Sequence, residues 1–324
     1  MSDIDKKPVF EPRSSFLRVH APALPSAEAR AQRINRTCAR CHQVLFSQYP
    51  WTWEGTHRPS LSSPGGIPGG STINSGEARD FLLGGCASQM SCTDCHDPHA
   101  PDNQRRMAEL DGAAGNAVCL HCHARFAGDT ALRAHTHHDP NGPGAMCLNC
   151  HMPRKNMSLD NRLTRYHRIG SPTDTARVEQ DRPLECALCH PDRTVEQLVG
   201  TMERWWNKSY SRPALTRLYG EMTANVMLAT LTRGKLHEQA VAITILGQHK
   251  MRAAVPLLAA RLTHPYPILR YYAEQALEEV LGRAPQIDLF QANEIIRAQA
   301  DRFLLQTGIP STSDSGFALY AACL

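Results

Sequence analysis

Apolar and polar positions fall into two regimes along this chain, and the change comes just after residue 190. Beyond it, apolar residues recur three and four positions apart, the spacing that lines one face of a helix. Thr194-Val-Glu-Gln197 reads as a capping box, in which the Thr and Gln side chains each take a backbone N–H left over at a helix start. It predicts a helix with Leu198, Met202, Trp205 and Trp206 turned inward. A second helix is predicted over about 213–231, followed by helices over 237–248, 253–262, 268–281 and 289–305. The breaks between them fall at Gly234, at His249-Lys250, from Pro265 to Pro267 and from Gly282 to Pro285. Before residue 190 no such period holds. Residues 1–30 are rich in Pro, Ser and charge and read as an extended arm; 58–78 holds five Gly and three Pro and reads as a loop. The expected fold class is mainly α.

Aromatic residues make up only 6% of the chain, too few to fill a core for the first 190 residues. That segment carries something else. Cys38-Ala-Arg-Cys41-His42, Cys92-Thr-Asp-Cys95-His96, Cys119-Leu-His-Cys122-His123, Cys147-Leu-Asn-Cys150-His151 and Cys186-Ala-Leu-Cys189-His190 are five copies of Cys-x-x-Cys-His. Random placement of 12 Cys and 16 His over 324 residues would give about 0.02 copies. The spacing is that of covalent c-type haem attachment: two thiols one helical turn apart add to the vinyl groups, and the His beside them reaches the iron. Zinc binding would need two Cys pairs per ion and gives no reason for a His after each pair. Five covalent haems c are expected, with short helical turns at the motifs. From 92 to 190 the first cysteines are 27, 28 and 39 residues apart, so little chain surrounds each porphyrin and the cofactors must pack against one another.

The motifs supply five proximal ligands: His42, His96, His123, His151 and His190. What closes the opposite face of each iron decides between carrier and catalyst, because two imidazoles saturate the iron whereas an open face admits substrate. His20, His57, His99, His121, His135, His137, His138 and His167 lie in or beside the haem segment. Among them His57, His99, His135, His138 and His167 are the candidate distal ligands. His99 is held by Pro98 just past a motif, and the cluster His135-Thr-His137-His138 is expected to supply two ligands. His237, His249 and His264 lie in the helical part and read as exposed or capping residues.

Cys92-Thr-Asp-Cys-His-Asp-Pro-His99 resembles the doubled Cys-x-x-Cys-His multihaem cytochromes. The stretch from His135 to Pro153, followed by Tyr166-His167, resembles multihaem cytochromes c with appended helical repeats. These are similar to the superfamily of pentahaem nitrite reductases, octahaem hydroxylamine oxidoreductases and their tetrahaem electron acceptors. The resemblance covers about residues 36–205 and implies parallel and perpendicular haem pairs, with His135, His138 and His167 as distal ligands. One departure bears on function: those nitrite reductases hold a catalytic haem through Lys, and all five motifs here end in His. Farther on, Glu238 to Gly247, Ala254 to Leu262 and Leu269 to Leu277 resemble HEAT-type helix pairs. The expected organisation is an extended arm over 1–35, a pentahaem cytochrome c domain over 36–192, a HEAT-like domain over 193–305 and a tail over 306–324.

The expected function is electron transfer along closely packed, mostly bis-His haems, with no catalytic residue. The alternative is an oxidoreductase acting on a small nitrogen or sulfur compound at one open haem, for which the isolated first haem is the best candidate. Expected partners are redox proteins, such as a membrane-bound electron-transfer complex or other multihaem cytochromes. The formal charge of +4 is offset by haem propionates, and Lys and Arg are scattered among acids, so nucleic acid is not an expected partner. Attachment of haem c takes place outside the cytoplasm, so a periplasmic or extracellular location is expected. Residues 1–7 have no apolar h-region, and no run of about 18 apolar residues occurs. Export then relies on an upstream signal or anchor, or on something outside the chain. Cys86 and Cys323 lie outside the motifs; a mutual disulfide, buried thiols and external pairing all remain open.

Overall fold

Ser26 sets the first helix. Its Oγ accepts the Ala29 N–H at 3.1 Å, and α1 (Ala27–Cys38) runs from that cap directly into the first haem motif. The expected extended arm therefore ends at this cap, because a Ser followed by Ala-Glu-Ala-Arg outweighs the Pro-rich composition before it. The computed structural model describes residues 26–39, 42, 77–100, 103–157 and 162–308, and over these the fold is mainly helical. Cys41, His20, His57 and Cys323 lie outside the described residues, as do most of the proposed tail and most of the 58–78 loop.

In the haem segment the helices are short: α2 (Glu77–Leu82), α3 (Asn103–Leu110), α4 (Ala113–Leu120), α5 (Asp129–Thr136) and α6 (Cys147–His151). An antiparallel hairpin follows, β1 (Arg154–Met157) with β2 (Leu163–Arg165), and then α7 (Thr175–Gln180). The hairpin was not expected, since Arg154-Lys155-Asn156 shows no apolar alternation. Buried charge holds it instead. Lys155 on β1 is hydrogen-bonded to Asp181, and the two side chains are each only 2% exposed.

The second half comprises α8 (Val195–Trp206), α9 (Arg212–Tyr219), α10 (Val226–Arg233), α11 (Leu236–Gln248), α12 (Val255–Arg261), α13 (Pro267–Leu281) and α14 (Asn293–Gln306). The Thr194–Gln197 capping box forms as read, with its two bonds at 3.0 and 3.3 Å. The helix expected over 213–231 is two: Gly220 takes φ 93 and ends α9, and Asn225 caps α10 by accepting the Leu228 N–H at 3.0 Å. At the centre, α11 buries Ala240, Val241, Ala242, Ile243, Ile245 and Leu246, packing against α10, α13 and β1. A helix apolar on every side is a helix surrounded. Gly247 allows the closest approach, since a Cβ there would lie 2.8 Å from the Ala276 Cα of α13.

Two single-residue expectations fail in this half. Trp205 is 41% exposed, because α8 turns Val195, Leu198, Val199 and Met202 to the core and leaves Trp205 facing His137. His237 is buried at 3% exposure, not exposed, because the first turn of α11 faces the buried ion pairs. Arg182 Nε donates to Glu238 Oε2 at 3.0 Å, and Arg182 Nη1 to the Leu218 carbonyl at 2.8 Å. Arg182, through Glu238 and the Leu218 carbonyl, fastens the haem segment to the helical half, while Lys155–Asp181 ties the hairpin to the chain just before that half.

Candidate haem-binding site

Among the described residues, the motifs take one local shape. The His N–H donates to the carbonyl of the first Cys at 2.9 Å in His42, His96 and His123 and at 3.0 Å in His190, while Cys147–His151 is itself the helical turn α6. One turn puts the two sulfurs and the imidazole on the same side, as attachment through two thioethers and a proximal nitrogen requires.

Three motif histidines face a second imidazole. The ring centroids of His96 and His167 are 6.2 Å apart, those of His151 and His135 6.0 Å, and those of His190 and His138 6.2 Å. The rings are near-parallel in each case, tilted by 20°, 2° and 28°. An iron bound on both sides at about 2.0 Å, with about 1.1 Å more to each ring centre, would set centroids about 6.2 Å apart. The donor set fits the group.

The protonation of these rings fits as well. In each pair one Nδ1 lies against a backbone carbonyl: His167 on Arg165 at 2.9 Å, His151 on Gly170 at 2.9 Å, and His138 on Thr136 at 2.6 Å. A ring nitrogen facing a carbonyl must donate, so Nδ1 carries the proton and Nε2 keeps its lone pair for a metal. Burial holds the pKa of His96, His135, His151, His167 and His190 below the usual imidazole value, with His42 adding to the effect at His96, His151 at His135 and His138 at His190. Neutral imidazole is the ligating form.

Gly144 makes room for one of these rings, since a Cβ there would lie 2.3 Å from His138 Cδ2. Phe126 stacks on the His135 ring at 4.2 Å. His137, in left-handed backbone at φ 57, is carried away from the pair and stacks on Trp205 at 4.7 Å. Trp206 Nε1 donates to the His135 carbonyl at 2.9 Å, tying α8 to the end of α5. The tight bend at His137 sends His135 and His138 to different motif histidines, His151 and His190.

Other candidates are placed differently. His42 is largely exposed, with Nδ1 3.9 Å from Glu77 Oε2. His99 is exposed in the turn after the second motif and, among the described residues, faces no motif histidine; His121 is exposed at the end of α4.

The motifs meet through their sulfurs, in chain order. The Cys92 thiol lies beside that of Cys38, and the Cys119 thiol beside that of Cys147. Cys119 also lies within electrostatic reach of Cys95, and Cys150 within reach of both Cys186 and Cys189. These atoms stand in for the thioether sulfurs that would attach the haems through their former vinyl groups. Burial raises the Cys150 thiol to about 11 and the Cys186 thiol to about 12. Cys86, outside every motif, sits near Cys119 and Cys122.

A second donor cluster comprises Asp181, His237 and Glu238, all buried, with ligand-type atoms within 4.8 Å of one another. Lys155 and Arg182 already place two positive charges on its two carboxylates, so it is a neutralised ion-pair network and not a cation site. Among the described residues, no helix is long and apolar enough to cross a membrane.

Residues 85–128, which contain the second and third motifs, match the family model of the doubled CXXCH motif. No curated protein and no solved structure matches the chain.

Proposed function

We propose that this chain, a multihaem c-type cytochrome by its doubled motif, carries electrons between redox partners along five covalent haems, outside the cytoplasm. When bound, each haem supplies a one-electron iron couple, which two imidazoles would hold at low potential at the second, fourth and fifth motifs. The observation that carries the reading is the triple recurrence of a motif histidine facing a second imidazole at 6.0–6.2 Å. An axial site closed on both sides admits no substrate, so His167, His135 and His138 favour transfer over catalysis at the second, fourth and fifth motifs. The residues of the chain orient the ligands: backbone carbonyls fix the Nδ1 protons, and Gly144 and Phe126 set ring positions. The sulfur contacts keep successive motifs adjacent from the first to the fifth, which supports one continuous route in sequence order. His57, which lies outside the described residues, is the proposed distal ligand for one of the remaining two; His99 faces neither His42 nor His123. The helical half, read as HEAT-like and domain-sized, is the proposed docking body for a redox partner.

The test combines mass and electron count on the mature protein. The mass should exceed the polypeptide by five haem groups, and coulometric reduction should take up five electrons per chain. A smaller haem count, or catalytic turnover of nitrite or hydroxylamine, would overturn the proposal.

A further inference from the structure

Two hydrogen-bond arrangements in the haem segment are copies of one another. Asn35 lies three residues before Cys38; its Nδ2 donates to the Met90 carbonyl at 3.0 Å, and its Oδ1 accepts the Cys92 N–H at 2.9 Å. Asn116 lies three residues before Cys119; its Nδ2 donates to the Ala145 carbonyl at 3.0 Å, and its Oδ1 accepts the Cys147 N–H at 2.8 Å. Each amide thus grips the next motif at the same two points, the carbonyl two residues before its first Cys and the N–H of that Cys. Both side chains are buried, at 1% and 8% exposure.

The surroundings match too. Each Asn sits on a helix that delivers the first Cys of its own motif, α1 for Cys38 and α4 for Cys119. Each gripped Cys opens a short helical turn, Cys92–Asp94 or Cys147–His151. The sulfurs brought together are again equivalent, Cys38 with Cys92 and Cys119 with Cys147. The intervening chain is not equivalent: the paired first cysteines are 54 residues apart in one case and 28 in the other. The same grip across inserts of such different length is a property of the pairing and not of the loop. Attaching one haem to one motif needs none of it. The fifth motif lacks the device, since Pro183 occupies the position three before Cys186.

We infer that Asn35 and Asn116 are positioning residues that lock the first motif to the second and the third to the fourth, forming two equivalent haem pairs with the fifth site appended to the second pair. This rests on reading each motif as a haem site. Each amide fixes where one motif's sulfur lies relative to the other's, and so fixes the separation and tilt within a pair.

The experiment uses full-length mature protein carrying Asn35→Ala, Asn116→Ala, Asn35→Asp or Asn116→Asp, with haem content verified by mass. Each form is followed by potentiometric titration and by paramagnetic resonance of the oxidised state, where neighbouring low-spin irons couple. N116A should shift two of the potentials and lose the coupled signal of one pair, while N35A should do so for the other two. The Asp variants keep an acceptor for the Cys N–H but set a carboxyl oxygen against the Met90 or Ala145 carbonyl in place of the amide donor, so the same two sites should shift. Shifts spread over every site, confined to one, or absent would overturn the inference. If an Ala variant takes up no haem, the corresponding Asp variant decides, and an Asp variant matching wild type at all sites overturns the inference. Wild type without haem would defeat the proposed function; a loaded wild type with indistinguishable variants would defeat the Asn pairing alone.

Discussion

Gly144→Ala tests the placement of His138 most sharply. The added methyl carbon would stand 2.3 Å from His138 Cδ2, 2.5 Å from Cγ and 2.9 Å from Cβ. Ordinary contact begins near 3.4 Å, so one side must yield by about 1 Å. The backbone at residue 144 is the stiffer side, because the adjoining Ala145 carbonyl is held by Asn116 at 3.0 Å and Cys147 lies two residues on. The imidazole therefore retreats, and its 6.2 Å registration with His190 is lost. A metal–imidazole bond of about 2.0 Å does not stretch by half its length, so it breaks. The variant should keep the wild-type haem content but convert one ferric site to high spin, read by absorption and paramagnetic resonance. Gly142→Ala is the control, since its nearest neighbour would be the Asp139 carbonyl at 3.4 Å. A fully low-spin G144A protein, or the same change in G142A, would refute the placement.

Three further outcomes follow from the same geometry. His167→Met replaces one imidazole with a thioether and should raise one midpoint potential while leaving the others in place; an unchanged titration would remove His167 from the iron. Lys155→Met strands the buried Asp181 carboxylate and should lower unfolding free energy by about 3–5 kcal/mol in denaturant titration, with part recovered in the K155M/D181N double variant. Burial lowers His237 from 6.5 to about 4, so the unfolded chain binds a proton there at a pH where the native state does not. Its stability contribution is complete above pH 6.5 and declines as pH falls towards 4, by about 3 kcal/mol in all. His237→Gln should flatten that part of the stability–pH curve; superimposable wild-type and variant slopes would show that His237 is not the titrating group.

The local chemistry of the site was legible in the sequence because it is local. Cys-x-x-Cys-His occupies a single turn, and spacing alone puts its donors on one side. His135, His138 and His167 stand out in the sequence as distal-ligand candidates, yet which motif each faces is not readable there. That choice depends on the left-handed turn at His137 and on the space at Gly144, both set by tertiary contacts. Asn35 and Asn116 did leave a trace, an Asn three residues before the first Cys of two motifs, whose meaning appears only when both partners are seen. Among the helices, the capping box at Thr194 was read correctly, whereas apolar period masked the break at Gly220. Trp205 shows why period misleads at a helix end: the last turn of α8 has passed the core and meets His137 instead. Lys155 and Asp181 gave no signal at all, since a buried ion pair looks like two surface residues until the fold buries both.

Counting spins in the fully oxidised protein, with haem content known from its mass, tests the paired-imidazole geometry most directly. His96 with His167, His151 with His135 and His190 with His138 require at least three low-spin ferric irons per chain. Fewer than three would mean that these imidazoles do not share an iron.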